Sequence, residues 1–353
     1  MILAGGAGTR FWPASRSARP KHFIPLLGGT SLFEATLRRV RELAPPERTW
    51  VVSASGLAQA TRRALRGHAG VRLLLEPEAR DTAAAIAWAA ARIEAEDPEA
   101  LMGVFPADHH IPAPRAFARS VRAAARAASD GEGLVLVGIE PTRPDTAYGY
   151  LWLGDRVRGA AHAVRRFVEK PSASRAKRFL RDGQYLWNAG MLVASPRRVL
   201  AEAEALAPEL WKPLGPSLAR IAGGGRVAAG AFARAYRRVR PVSFDYAVLE
   251  RTSRALAVRG RFRWSDLGSW NALEEHLERR GGNAVGGTPP AALIEASGNV
   301  IWNTTDKAVA LLGVRDLVIV ETQDALLICP KDRAQEVRQV VGQLARERRQ
   351  KLI

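Results

Sequence analysis

The sequence predicts an α/β fold: a mostly parallel sheet flanked by helices over residues 1–280, then a small all-β unit and a final amphipathic helix over residues 281–353. Three observations predict it. Apolar strand-like runs alternate with helical ones up to about residue 280. Beyond that point short apolar runs are separated by turn clusters alone. And 47% apolar residues in 353 are enough for one large core and a smaller one.

Taken in order, residues 2–4 make a short apolar strand that runs into Gly5, Gly6 and Gly8. Ser31 and Glu34 frame a capping box, and Leu32, Leu37, Val40 and Leu43 give the following helix its apolar face. A strand at 50–53, an Ala-rich helix after Asp81, a strand at 102–105, a helix at 114–128 and a strand at 134–138 complete the alternation. Open sheets of this kind bind ligands beyond the carboxyl ends of their strands, so those ends are where chemistry is sought. Past residue 281, apolar runs at 291–294, 300–302, 308–312, 317–320 and 325–329 are divided by turns such as Ser297-Gly298-Asn299 and Thr304-Thr305-Asp306. The helix at 333–349 places Val337, Val340, Val341 and Leu344 on one face, to pack on the β unit or on a partner subunit.

Composition removes several function classes. The single cysteine, Cys329, has no intrachain partner and lies in an apolar run, so it reads as a buried strand residue rather than a redox or zinc site. No stretch reaches the roughly 18 uncharged apolar residues of a membrane span, and no signal-peptide pattern opens the chain. The expected location is cytoplasmic. The net charge of +18 raises nucleic-acid binding as a hypothesis. Its arginines, however, are scattered on helices such as 115–126 and 333–349, without RNA-binding, helix-turn-helix or zinc-finger patterns. The charge is read as a solvated surface that also favours anionic substrates, with no specific nucleic-acid partner.

The chemistry starts at Leu3-Ala4-Gly5-Gly6-Ala7-Gly8-Thr9-Arg10, with Arg19-Pro20-Lys21 close behind. Glycines at these positions let the backbone turn tightly and bring N–H groups to an anion, and Arg10 and Lys21 add charge; polyphosphate is the natural guest. A Walker loop would need Gly-Lys-Ser/Thr at its end, and a dinucleotide fold a glycine where Phe11 stands. Neither fits. The segment resembles the opening Gly-Gly-x-Gly-Thr-Arg loop and Pro-Lys of the sugar-1-phosphate nucleotidyltransferases.

Further motifs carry the resemblance along nearly the whole chain. The strand at 102–105 ends in Pro106-Ala107-Asp108-His109-His110, placing a carboxylate at a strand end, where Mg²⁺ is the expected ligand: a hard cation that already holds phosphate oxygens needs one or two protein carboxylates. Taken alone, Asp108 and Asp266 in Trp264-Ser265-Asp266-Leu267-Gly268 are turn or cap residues. The resemblance pairs them as metal ligands. Adjacent His109 and His110 point to opposite sides of an extended chain and are read as structural groups or as groups that support the metal ligands from behind.

Glu76-Pro77-Glu78-Ala79-Arg80-Asp81-Thr82 precedes the Ala-rich helix, with Asp81 or Thr82 as its N-cap. In guanylyl-transferring relatives this stretch contacts the base, and guanine's N1–H and N2–H₂ suit an acceptor such as Glu76. Relatives more often have Asn at Asp81. On the sugar side stand Tyr148-Gly149-Tyr150, Phe167-Val168-Glu169-Lys170-Pro171, Trp187-Asn188-Ala189-Gly190-Met191 and Ser243-Phe244-Asp245-Tyr246-Ala247. The second and third resemble the mannose 1-phosphate guanylyltransferases.

What the resemblance implies is a Rossmann-like catalytic domain and a left-handed parallel β-helix after it, a shape that the irregular spacing of the runs does not itself yield. It implies GMP transfer from GTP to mannose 1-phosphate with Mg²⁺ and no isomerase domain. Arg10, Lys21, Asp108 and Asp266 would be catalytic; Leu3, Ala4, Gly5, Gly6, Gly8, Thr9, Glu76, Asp81 and Thr82 would bind nucleotide. Tyr148, Gly149, Glu169, Lys170, Asn188 and Asp245 would bind the sugar phosphate. The C-terminal unit leaves room for a homodimer. Two alternatives stay open: another nucleoside triphosphate and hexose phosphate pair, or a regulatory homologue without catalysis.

Overall fold

In the computed structural model, which describes residues 1–6, 8–130 and 132–353, Ala7 of the glycine loop and Gly131 lie outside the described residues. The apolar residues at the start form β1 (Ile2–Leu3), which pairs in parallel with β2 (Trp50–Ala54) on one side and β4 (Met102–Pro106) on the other. Between them α1 (Leu32–Val40) opens where Ser31 Oγ accepts the Glu34 N–H at 3.2 Å, as the capping box requires. By its contacts the chain forms two compact units. The first comprises Met1–Gly5, Thr36–Pro106 and Ile111–Trp264; the second Gly6–Ala35, Ala107–His110 and Ser265–Ile353.

In the first unit α2 (Ala58–Ala64) leads to β3 (Arg72–Glu76), which adds in parallel to β2. After α3 (Asp81–Glu96), β4 and α4 (Pro114–Ala127) comes the fully buried β5 (Leu134–Ile139). Next follow a long hairpin, β6 (Tyr150–Arg158) and β7 (Ala161–Val168), then α5 (Ala173–Asp182) and β8 (Tyr185–Ala194). Helices α6 (Pro196–Leu206), α7 (Pro208–Ala222) and α8 (Ala229–Arg237) precede β9 (Ala255–Arg259).

The sheet order is β3-β2-β1-β4-β8-β5-β9-β7-β6. Its β3-β2-β1-β4 run and the β5–β9 pair are parallel, as the alternation predicts. Between β4 and β5 lies β8, antiparallel to both. That insertion carries Trp187-Asn188-Ala189-Gly190 into the middle of the sheet. On one face the alanines of α3 are almost all buried, and their short side chains let α6 and α7 pack closely on it.

The second unit holds β10 (Glu278–Arg280), β11 (Asn283–Gly287), β12 (Ala292–Ile294), β13 (Val300–Asn303), β14 (Ala310–Leu312), β15 (Leu317–Glu321), β16 (Leu326–Pro330) and α9 (Val337–Arg346). Successive coils stack β11, β13 and β15 in parallel, and β12 on β14, which is a β-helix-like arrangement. Buried Asn283 and Asn299 stitch the coils: Asn299 Nδ2 donates to Asn283 Oδ1 at 2.8 Å, and Asn299 Oδ1 accepts the Leu317 N–H at 2.9 Å.

Phe11, Trp12, Ile24 and Leu26, from the segment after the glycine loop, share one core with Trp270, Trp302, Val318 and Val337. The final helix therefore packs on the β unit. It is shorter than its apolar spacing suggests, because residues Lys331–Glu336 wind as a 3₁₀ helix before α9 starts. Cys329 is half-buried on the edge strand β16 rather than fully inside. Among the described residues, no helix is long and apolar enough to cross a membrane.

Candidate active site

The glycine loop leaves β1 through Ala4, whose N–H donates to Val52 O at 2.8 Å, and Gly5, the last residue of the first unit. Leu3, Ala4, Gly5 and Gly6 are thus backbone at a strand's carboxyl end. In the second unit Gly8 adopts φ +59, and Thr9–Phe11 forms a single 3₁₀ turn. A Cβ on Gly8 would fall 2.6 Å from Lys21 Cβ and 2.8 Å from Lys21 N, so only glycine lets the loop lie against that residue.

Gly8, Thr9, Arg10, Lys21, Asp108, His109, Asp266 and Gly268 line one cleft of about 290 Å³ within the second unit. Residues from three distant stretches of chain meet there. Lys21 is 5% exposed, and its Nζ sits 2.6 Å from Asp108 Oδ2, donates to Asp266 O at 2.7 Å and to Leu267 O at 3.2 Å. Burial pushes the Asp108 carboxyl up, but the Lys21 ammonium, with help from His109, overcomes this and holds it well below the usual carboxylate range. Arg10 Nη1 donates to Gly268 O at 3.2 Å, and Asp266 Oδ1 accepts the Gly268 N–H at 3.0 Å, which fixes the 266–268 turn.

Of the histidines here, His109 borders the cleft and the other two are structural groups. His109 Nε2 is 4.0 Å from Asp108 Oδ1, and His110 forms a backbone bridge with Ser265 while its ring meets His276 edge-on at 4.7 Å. His22, behind Lys21, is 2% exposed, and burial lowers its pKa to about 4, so it stays neutral.

Among the described residues no group of three or more His, Cys, Asp or Glu could hold a metal by itself. Two carboxylates on one cleft still fit a cation of the Mg²⁺ kind, which keeps waters and takes substrate phosphates as its other ligands.

The remaining predicted residues lie in the first unit, in two groups. Glu76 ends β3 and is 4% exposed; Tyr236 donates its hydroxyl to Glu76 Oε1 at 2.6 Å. Asp81 and Thr82 follow, but neither caps α3 in the expected way. Asp81 is its first residue, sits at φ +62, and accepts the next N–H, from Thr82, at 2.7 Å; Thr82 Oγ1 instead accepts from Phe244 N at 2.9 Å.

The second group gathers the six predicted sugar residues. Asn188 Nδ2, from β8, donates to Asp245 Oδ1 at 2.8 Å, and Lys170 Nζ lies 2.5 Å from Glu169 Oε1. Asp245 opens a one-turn π-helix, Asp245–Leu249, a feature that recurs at functional sites. Burial, then the nearby Glu169, pushes Asp245 up to about 7, against the pull of Lys170 and Asn188. Gly149 O accepts the Asn188 N–H at 2.8 Å, and a Cβ on Gly149 would collide with Glu169 Oε2 at 2.5 Å. Tyr148 is 8% exposed and stands edge-on to Trp187 at 5.0 Å. Tyr236, the partner of Glu76 in the first group, is marked by no sequence motif.

Comparison with known proteins gives the family. Residues 1–280 match the family described as nucleotidyl transferase, and residues 292–344 match the MannoseP isomerase/GMP-like beta-helix domain. The alginate biosynthesis protein AlgA of Pseudomonas aeruginosa is 36% identical over 361 residues, covering 98% of this chain and 71% of AlgA. The mannose-1-phosphate guanylyltransferase of Escherichia coli is 35% identical over 356 residues, covering 99% of this chain and 74% of that protein. A crystal structure described as mannose-1-phosphate geranyltransferase from Thermus thermophilus superposes with a TM-score of 0.87 at 37% identity, over 98% of both chains. With a family match over residues 1–280 and relatives aligned along nearly its full length, the chain belongs to the nucleotidyl transferase family.

Proposed function

We propose that this protein transfers GMP from GTP to α-D-mannose 1-phosphate, giving GDP-mannose and pyrophosphate. The observation that carries the reading is the single cleft in which the end of a glycine loop, Arg10 and Lys21 meet the carboxylates of Asp108 and Asp266. A phosphate oxygen of the sugar phosphate attacks the α-phosphorus in line; the new P–O bond forms as the bond to the β-phosphate oxygen breaks, and pyrophosphate leaves. The nucleophile is already an anion, so no base is needed. The protein has to align two polyanions and offset their repulsion.

Backbone N–H groups of Gly6, Gly8 and Thr9 face the triphosphate, and Arg10 holds the β- and γ-phosphates and the charge that grows on the leaving group. Lys21 bridges the α-phosphate and the attacking oxygen. Its ammonium has three protons and three protein acceptors, so contact with phosphate requires one partner to be released, and Asp108 is the one with another role to take up. Asp108 and Asp266 are the residues that would hold Mg²⁺, whose charge would offset that of the phosphate oxygens. Glu76 accepts from guanine, with Asp81 and Thr82 beside it. Lys170 grips the sugar phosphate, and Glu169, Asn188 and Asp245 take sugar hydroxyls against the Tyr148 ring and the bare Gly149 backbone. Residues 1–280 are taken as the catalytic domain and 281–353 as the β unit.

Pyrophosphate release with Mg²⁺ tests the reading, comparing GTP with ATP and UTP, and mannose 1-phosphate with glucose 1-phosphate. Turnover confined to GTP and mannose 1-phosphate is expected. Turnover with another pair would refute the specificity and keep the mechanism, and folded protein inactive on every pair would refute the enzyme.

A further inference from the structure

Tyr236 lies near the end of α8, fully buried, and its hydroxyl reaches Glu76 Oε1 at 2.6 Å from 160 residues away. Its ring is fixed between Trp88 at 6.0 Å and Phe232 at 5.6 Å. The other carboxylate oxygen borders bare backbone: a Cβ placed on Gly5 would stand 3.4 Å from Glu76 Oε2. Glu76 is therefore a buried carboxyl with one oxygen tethered and the other beside the start of the glycine loop.

The protonation state of such a group decides what it can pair with. An ionised carboxylate offers acceptors only and matches the adjacent N1–H and N2–H₂ donors of guanine. A protonated one offers one donor and one acceptor. That pattern matches adenine, with its N1 acceptor and N6–H₂ donor, and mismatches the two adjacent donors, N1–H and N2–H₂, of guanine.

We propose that Tyr236 is a positioning residue for base selection: its hydroxyl orients Glu76 and keeps it in the acceptor-only form that pairs with guanine and turns adenine away. The inference rests on the reading of Glu76 as the base contact. Burial and two neighbouring charges, Asp81 and Arg80, act on the pair. Burial raises Glu76 to about 6, the Tyr236 hydrogen bond opposes that rise, and Asp81 adds to it. Burial and then Glu76 raise the Tyr236 hydroxyl far above its ordinary value, against the weaker pull of Arg80, so it remains a donor throughout the working range.

The test is the ratio of ATP to GTP dissociation constants, measured by titration calorimetry on the full chain between pH 5.5 and 8.5; ionisation of the triphosphate is common to both ligands and cancels. In the unaltered protein the ratio should fall as pH drops through about 6. In Tyr236→Phe the midpoint should move up by about one pH unit, so that discrimination drops several-fold near pH 7 and recovers at pH 8.5. Glu76→Gln, which carries a donor at every pH, should give a low and flat ratio.

If Glu76→Gln keeps the original ratio, the base-contact reading fails, and this inference with it. If Glu76→Gln abolishes discrimination while Tyr236→Phe leaves the midpoint in place, the Tyr236 role alone is overturned. Should Tyr236→Phe not fold, 3-fluorotyrosine at position 236, a stronger donor of nearly the same size, should move the midpoint downward. An unmoved midpoint there overturns the proposal.

Discussion

Lys21 Nζ lies 2.6 Å from Asp108 Oδ2 while also donating to the carbonyls of Asp266 and Leu267, so one buried ammonium ties together three stretches of chain. A cation in this position organises the cleft, and under the proposed function it is also the group that meets phosphate. Lys21→Met keeps the length and packing of the side chain and removes only the charge and donors. Turnover should fall on the order of 10²-fold or more with KM changed little, as for a contact made mainly in the transition state. The two carbonyls left without a donor should lower stability by about 1–3 kcal/mol. Steady-state kinetics and urea unfolding measure the two effects separately, and near-normal kcat would remove Lys21 from the chemistry.

Asp266 combines a backbone task with an expected metal task. Its Oδ1 accepts the Gly268 N–H, a bond that an amide oxygen can also make, so Asp266→Asn should preserve the turn and lose the charge. The Mg²⁺ concentration for half-maximal pyrophosphate release should then rise by about tenfold or more, together with a fall in kcat. An unchanged Mg²⁺ dependence with unchanged kcat would argue that the carboxylate serves the turn alone.

Gly8 and Gly28 share the same strained backbone region, at φ +59 and +65, but differ in surroundings. A Cβ on Gly28 meets nothing within 4 Å, whereas one on Gly8 runs into the backbone and Cβ of Lys21. Gly28→Ala should therefore cost only the backbone term, about 1 kcal/mol, with activity retained. Gly8→Ala should cost more and displace Lys21, with a loss of activity approaching that of Lys21→Met. Equal effects of the two substitutions on kcat would show that Lys21 does not depend on this contact.

Much of this arrangement was legible because the chemistry is local. The glycine loop and its cations sit within the first 21 residues, and Asp108 stands just past a strand that its apolar run marks. Chain direction was not legible. Nothing in the composition of residues 185–194 says that β8 runs antiparallel between β4 and β5, because pairing direction is fixed by partners and connections rather than by propensity. The β-helix-like stacking was hidden by unequal coils, 16 residues from 284 to 300 and 18 from 300 to 318, and by a corner held at positive φ by Gly282 and Gly298 but then by Asp316. The bond between Glu76 and Tyr236 spans 160 residues and has no local signature.

Asp245 gives a pH effect on stability of definite sign. Its carboxyl is raised to about 7 in the folded protein, chiefly by burial and then by Glu169, against an ordinary value of about 3.9 in an unfolded chain. Between about pH 4 and pH 7 the folded state holds a proton that the unfolded state has released, so this group makes stability fall as pH rises through that window. Asp245→Asn carries no charge in either state and keeps an oxygen to accept from Asn188 Nδ2. The variant should gain on the wild type as pH rises, by on the order of 1–2 kcal/mol at pH 8 relative to pH 5, because a partly exposed side chain realises only part of the full shift. Thermal unfolding of both proteins at the two pH values measures this directly. A Tm difference between variant and wild type that is the same at pH 5 and pH 8 would show that the Asp245 carboxyl titrates in its ordinary range.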